Sequence, residues 1–148
     1  MIRSKFLFCA LGFFFPGAGF NCLYLQGIKS FWGWLQLAAL IGGISGWIIL
    51  STTELASVAG WFLLTLGFIS IEASFLTTIV YGLRSGERWD VEFNPSIAPE
   101  KATQTGWLTI LLVIFCLVFG AALMMSFFAI AFEQFFISQL VEARKLSQ

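Results

Sequence analysis

The chain contains four long, nearly uncharged apolar runs, at residues 6–26, 31–51, 58–83 and 106–132. Each has the length at which an α-helix, rising about 1.5 Å per residue, crosses a hydrocarbon core of about 30 Å. The third carries Trp61 near its start and Tyr81 near its end. That separation, about 30 Å along a helix, places an amphipathic ring at each membrane interface. Trp32, Trp34 and Trp47 bracket the second run in the same way. The first run is weaker, because Pro16 removes a backbone donor and Gly17, Ala18 and Gly19 relax the helix after about ten apolar residues. Backbone groups freed there must be satisfied by neighbouring helices, side chains or water. The expected architecture is an all-α integral membrane protein of four transmembrane helices, the first broken at Pro16-Gly17. It divides into a two-helix hairpin (residues 1–51) and a second helix pair (residues 52–148).

Composition agrees with lipid as the main solvent. Of 148 residues, 59% are hydrophobic and 11% charged, where a soluble domain carries about a quarter charged. Eight basic residues balance eight acidic ones, and no Lys/Arg run exists to follow phosphates, which excludes nucleic acid as a partner. The absence of histidine removes the commonest near-neutral proton carrier and the usual imidazole ligand for haem, zinc or copper. Cys9, Cys22 and Cys116 are scattered, with no metal or disulfide spacing; Cys9 and Cys116 read as small apolar residues. The Arg3-Ser4-Lys5 start followed by apolar residues imitates a secretory signal, but the residues before Cys22 lack a small-residue cleavage pattern, so this segment reads as a retained first span.

The sizeable polar segment, residues 84–105, reads as an exposed loop in which Pro99 opens a short helix and Trp89 and Trp107 sit at the headgroup level. After the fourth run, Phe132, Phe135, Phe136, Leu140 and Val141 alternate with Glu133, Gln134, Ser138, Gln139 and Glu142. This makes residues 133–148 an amphipathic extension that lies on the surface or docks on a partner subunit. With four spans, Arg3, Lys5, Arg144 and Lys145 face Lys29, Arg84, Arg88 and Lys101, so the positive-inside rule returns a tie.

The glycine-rich connection and the start of the second run carry Gly17, Gly19, Asn21, Tyr24, Leu25, Gly33, Gln36 and Leu37. In this pattern residues 4–50 resemble the TM2 domain family, with Asn21, Cys22, Leu23 and Gln26 departing from its usual residues. The resemblance implies a two-helix membrane hairpin without an assigned general activity. Independently of it, Asn21 reads as a turn residue tolerant of left-handed geometry, and Tyr24 as an interfacial ring with a wet hydroxyl.

Ala38, Gly42 and Gly46, with Ala39 and Gly43 alongside, form a stripe of small residues that lets helices approach closely. Glu72 lies in the middle of the third run, where an acidic residue costs about 3 kcal/mol on insertion scales. It requires a partner from another helix or subunit, Gln36 or a lipid or pigment headgroup being the candidates. Its two readings are a proton or cation relay and a protonated carboxyl making one structural hydrogen bond. Glu54 and Glu133 fall at span ends, where they are solvated. With no histidine base and no two-metal carboxylate spacing, nothing here supports an enzyme, and no catalytic residue, metal ligand or cofactor is assigned. The reading that fits best is a structural or accessory subunit in contact with lipids and other membrane subunits, in a bacterial plasma membrane or thylakoid-type inner membrane. Its rivals are a small proton or cation transporter or channel subunit centred on Glu72, and an immunity-type protein that binds a toxin in the membrane.

Overall fold

The computed structural model describes residues 2–53, 55–96 and 102–146; Glu54, Pro99 and Lys101 lie outside them. The described chain is helical throughout, with α1 (Lys5–Phe14), α2 (Phe20–Gln26), α3 (Phe31–Thr52), α4 (Val58–Gly82), α5 (Gly86–Phe93) and α6 (Trp107–Leu146). Four helices start in the same way. Ser4, Ser30, Ser57 and Ser85 stand in extended conformation, and their side chains accept from the N–H groups of Leu7, Gly33, Gly60 and Arg88. Each satisfies a donor that the first turn leaves free.

Among the described residues three helices, not four, are long and apolar enough to cross a membrane: α3, α4 and α6. The first apolar run becomes α1, with 10 residues, and α2, with 7. At 1.5 Å per residue these reach about 15 and 10 Å, too short for a bilayer core. The break at Pro16 also reverses the chain. α1 starts where α4 ends, the Lys5 ammonium donating to the Arg84 carbonyl, and runs down α4 until Gly17 lies against Ile71, halfway along it. α2 then turns back, so that Asn21 reaches Ser74 and the Tyr24 hydroxyl accepts from the Ser4 N–H at 2.7 Å. Gly17 and Gly19, at φ +78° and +72°, supply the left-handed geometry this reversal needs. α1 and α2 thus form a re-entrant hairpin that enters and leaves at one end of the bundle.

From that end α3 runs antiparallel to α4, Gly43 meeting Gly67 backbone to backbone and Gly46 packing on Gly60 and Leu64. α6 also starts at that end, with Val113 beside Gly82, and descends until Phe127 stacks on Phe68 at 4.2 Å. The carboxyl-terminal end of α6 therefore lies across the bundle from the amino terminus, whereas four spans would put the two together.

The described residues of the segment 84–105 do not form the exposed loop expected. α5 folds back over α1 and buries Trp89 completely, its ring 5.6 Å from Phe8 and 4.7 Å from Phe93. Trp89 is thus a core residue, together with Phe8, Cys9, Leu25, Leu112 and Val113. Its indole N–H donates to the Arg3 carbonyl, while the Asn94 amide accepts from the Arg3 N–H at 2.7 Å and donates to its carbonyl at 3.2 Å. Lys5, 2% exposed, also donates to Thr105. Its ammonium lies at the end of α4, where the helix dipole is negative. Trp107 is exposed.

Candidate functional site: Glu72 and the polar seam of α4

α4 carries polar groups on two faces, and they behave differently. Ser70, Ser74 and Thr78 recur every four residues and so lie along one stripe. All three are buried against the re-entrant hairpin. The Ser70 hydroxyl stands 3.0 Å from the Gly17 carbonyl and 2.9 Å from the Gln36 carbonyl, so its single proton serves two acceptors next to the break. This is the compensation that a helix interruption at membrane depth requires. Thr78 bonds back to the Ser74 carbonyl at 2.8 Å, and Gly12 passes so close to its hydroxyl that no side chain fits at position 12.

The hairpin residues singled out in the sequence gather around this seam. Gly17 and Gly19 make the reversal, and Gly19 packs on the backbone of Gly33 at the first turn of α3. Asn21 is not a left-handed turn residue. It lies in α2, 1% exposed, donating to Ser74 at 3.4 Å and accepting from the Cys22 N–H at 2.9 Å. Tyr24 is half-buried rather than wet, and Leu25 belongs to the core. Gln36 contacts the hairpin through Cys22, its Oε1 3.8 Å from the Cys22 Sγ. Of the small-residue stripe, Gly46 lies in the α3–α4 contact, a Cβ on Gly42 would meet only the Leu63 side chain, and Ala38 is exposed; Ala39 and Gly43 complete the close approach.

Glu72 occupies the other face. Two residues from Ser70 and from Ser74, it is turned about 200° around the helix from the seam, toward α6. It is 8% exposed, and its Oε1 is enclosed with no hydrogen-bond partner among the described residues. Gln36 therefore does not serve it. The carboxyl lines a notch of about 170 Å³ with Phe75, Leu76, Cys116, Gly120 and Met124, open on its outer side. Gly120 leaves the room: a Cβ there would stand 3.3 Å from Oε2.

Outside the apolar helices, Asp90 is the second buried carboxyl, accepting from the Thr103 N–H at 2.6 Å, the Thr103 hydroxyl at 2.5 Å and the Asn94 amide at 3.0 Å. Burial pushes it up, but these hydrogen bonds outweigh burial and hold it below the ordinary aspartate value. Among the described residues no group of three or more His, Cys, Asp or Glu side chains is placed to hold a metal ion.

The four-residue spacing of the serine-threonine seam is visible in the sequence, but only the hairpin packed against it gives it a role. Replacing Ser70 by alanine leaves the Gly17 carbonyl without a hydroxyl donor. It is expected to cost about 1 kcal/mol, read as a lower midpoint in detergent unfolding; Ser45→Ala, whose hydroxyl only bonds back to Ile41, is expected to leave the midpoint in place.

Fold and site together define, over the described residues, an all-helical protein with three helices long and apolar enough to cross a membrane and a polar seam closing a helical hairpin. No family model, curated protein or solved structure matches the chain.

Proposed function

We propose that the protein is a non-catalytic, multi-pass membrane subunit that packs against a larger membrane assembly through the distal part of α6. The observation that carries this is the length of α6. Phe135 and Ser138 still line a cavity with Leu55, Val58 and Trp61, at the far end of α4. α6 then continues to Leu146 with Leu140 and Val141 exposed beside Glu142 and Lys145. An amphipathic segment with no bundle beside it stabilises little until a partner or a membrane surface covers its apolar side. The full-length protein purified in mild detergent is expected to bring a stoichiometric membrane partner, and a chain ending at Ser138 is expected to purify without it. A full-length protein that is monodisperse and alone contradicts the reading.

A proton or cation relay through Glu72 has less support. Its notch is lined by apolar side chains and Cys116, and the hydroxyls of Ser70, Ser74 and Thr78 face away from it.

We further infer the sidedness. A re-entrant hairpin puts Arg3, Lys5, Lys29, Arg84 and Arg88 at one end and leaves Arg144 and Lys145 at the other. Among the described residues, five cations against two favour the cytoplasm for the end bearing α5.

A further inference from the structure

We propose that the notch between α4 and α6 binds an apolar molecule bearing a hydroxyl group, a long-chain or isoprenoid alcohol, which enters sideways from the lipid and hydrogen-bonds to Glu72. The inference is independent of any partner on the α6 tail.

Glu72 is more than nine-tenths buried, Oε1 has no partner among the described residues, and Oε2 lies toward the gap left by Gly120. A buried polar group without a partner costs about 1–3 kcal/mol, so a ligand that supplies the missing hydrogen bond recovers that cost on binding. The site is shaped for a slender group. About 170 Å³ walled by Phe75, Leu76, Cys116, Gly120 and Met124 admits a polar terminus and a few carbons, but not the backbone of another helix.

Depth and charge narrow the chemistry. Glu72 lies nine residues from Tyr81, about 13 Å below the level of that ring along the helix, which is beyond an amine or phosphate held in the headgroup layer. A carboxyl at this depth is neutral unless paired, because an isolated ion there is too costly. A neutral acid presents one donor and one acceptor, and a hydroxyl answers both, whereas an amine binds well only by creating a buried ion pair whose desolvation offsets its attraction. A metal cation would find no second carboxylate in the notch.

The test uses the full chain in lipid nanodiscs and infrared difference spectroscopy of the protonated carboxyl C=O band, assigned to Glu72 by its loss in Glu72→Gln. Titration with 1-decanol is expected to move this band saturably to lower frequency, and decane is expected to leave it in place. Ala121→Leu, at an exposed position on the lip, is expected to keep the band and lose the shift. The proposal is overturned if the wild type shows no protonated carboxyl band, if decanol moves it no more than decane does, or if decylamine alone acts, by converting the band to carboxylate.

Discussion

Gly67→Leu is expected to separate α3 from α4 and to cost about 3 kcal/mol or more, the upper range for overpacking a filled contact. A Cβ at position 67 would stand 2.5 Å from the Gly43 Cα and 3.1 Å from the Gly43 nitrogen. Both are backbone atoms, so no rotamer change relieves the clash and the helices must move apart as rods. In lipid no hydrophobic force holds such a pair together, and its stability comes from close packing that the added side chain removes. The damage would spread, since Ser70 of α4 also joins the Gln36 carbonyl of α3 to the Gly17 carbonyl of the hairpin that rests on both helices. Gly42→Leu is the matched control. A Cβ there meets only the Leu63 Cδ2, at an ordinary 3.7 Å. Detergent unfolding followed by circular dichroism should therefore show a large fall in the midpoint for position 67 and little for position 42. Equal effects at the two positions would mean that the close approach does not run through Gly43 and Gly67.

Asp90→Ala is expected to release the cap that α5 places over the amino terminus. The carboxylate gathers Thr103 and Asn94, and the same Asn94 amide holds the Arg3 backbone. Its loss strands several donors at once and is expected to cost about 2 kcal/mol. Stability should also depend on pH through this residue. Because its folded-state value is held below the ordinary one, the stabilisation is complete above the ordinary aspartate range near pH 4 and is lost as pH falls below it. The wild type should therefore lose midpoint on acidification below about pH 4, and Asp90→Ala should lose much less over the same interval. Parallel curves for the two proteins would remove Asp90 from the account.

What the residues disclosed and what they hid follow from the range of the forces involved. The helices of α3, α4 and α6 were readable because length, apolarity and aromatic belts are local properties. The break at Pro16 was readable too, since a missing donor followed by glycines is local chemistry. Its consequence was not, because a break does not say whether the chain continues or turns back. That is decided by contacts across the fold, Tyr24 with Ser4 and Gly17 with Ser70. The polar segment misled for a related reason. Its residues have surface character, and only the packing of Trp89 on Phe8 and Phe93 turns it into a cap. Of the small residues on α3, the contact with α4 takes Ala39, Gly43 and Gly46 rather than Ala38 and Gly42, because neighbouring stripes on one helix are equally small and the partner chooses between them. Glu72 stood out by its position alone, and the structure adds that its partner is not Gln36.

The re-entrant hairpin carries the account of sidedness and of the polar seam, and it is tested most directly by where the termini lie. Single cysteines at Ile2, Arg88 and Leu146, positions that are exposed in the structure, can be placed in a Cys22→Ser background and treated in intact cells with a membrane-impermeant maleimide. The account predicts that positions 2 and 88 are protected together and react only after the membrane is opened, while position 146 reacts from outside. Positions 2 and 146 behaving alike, with 88 opposite, would mean that the first segment crosses the membrane, and would contradict it.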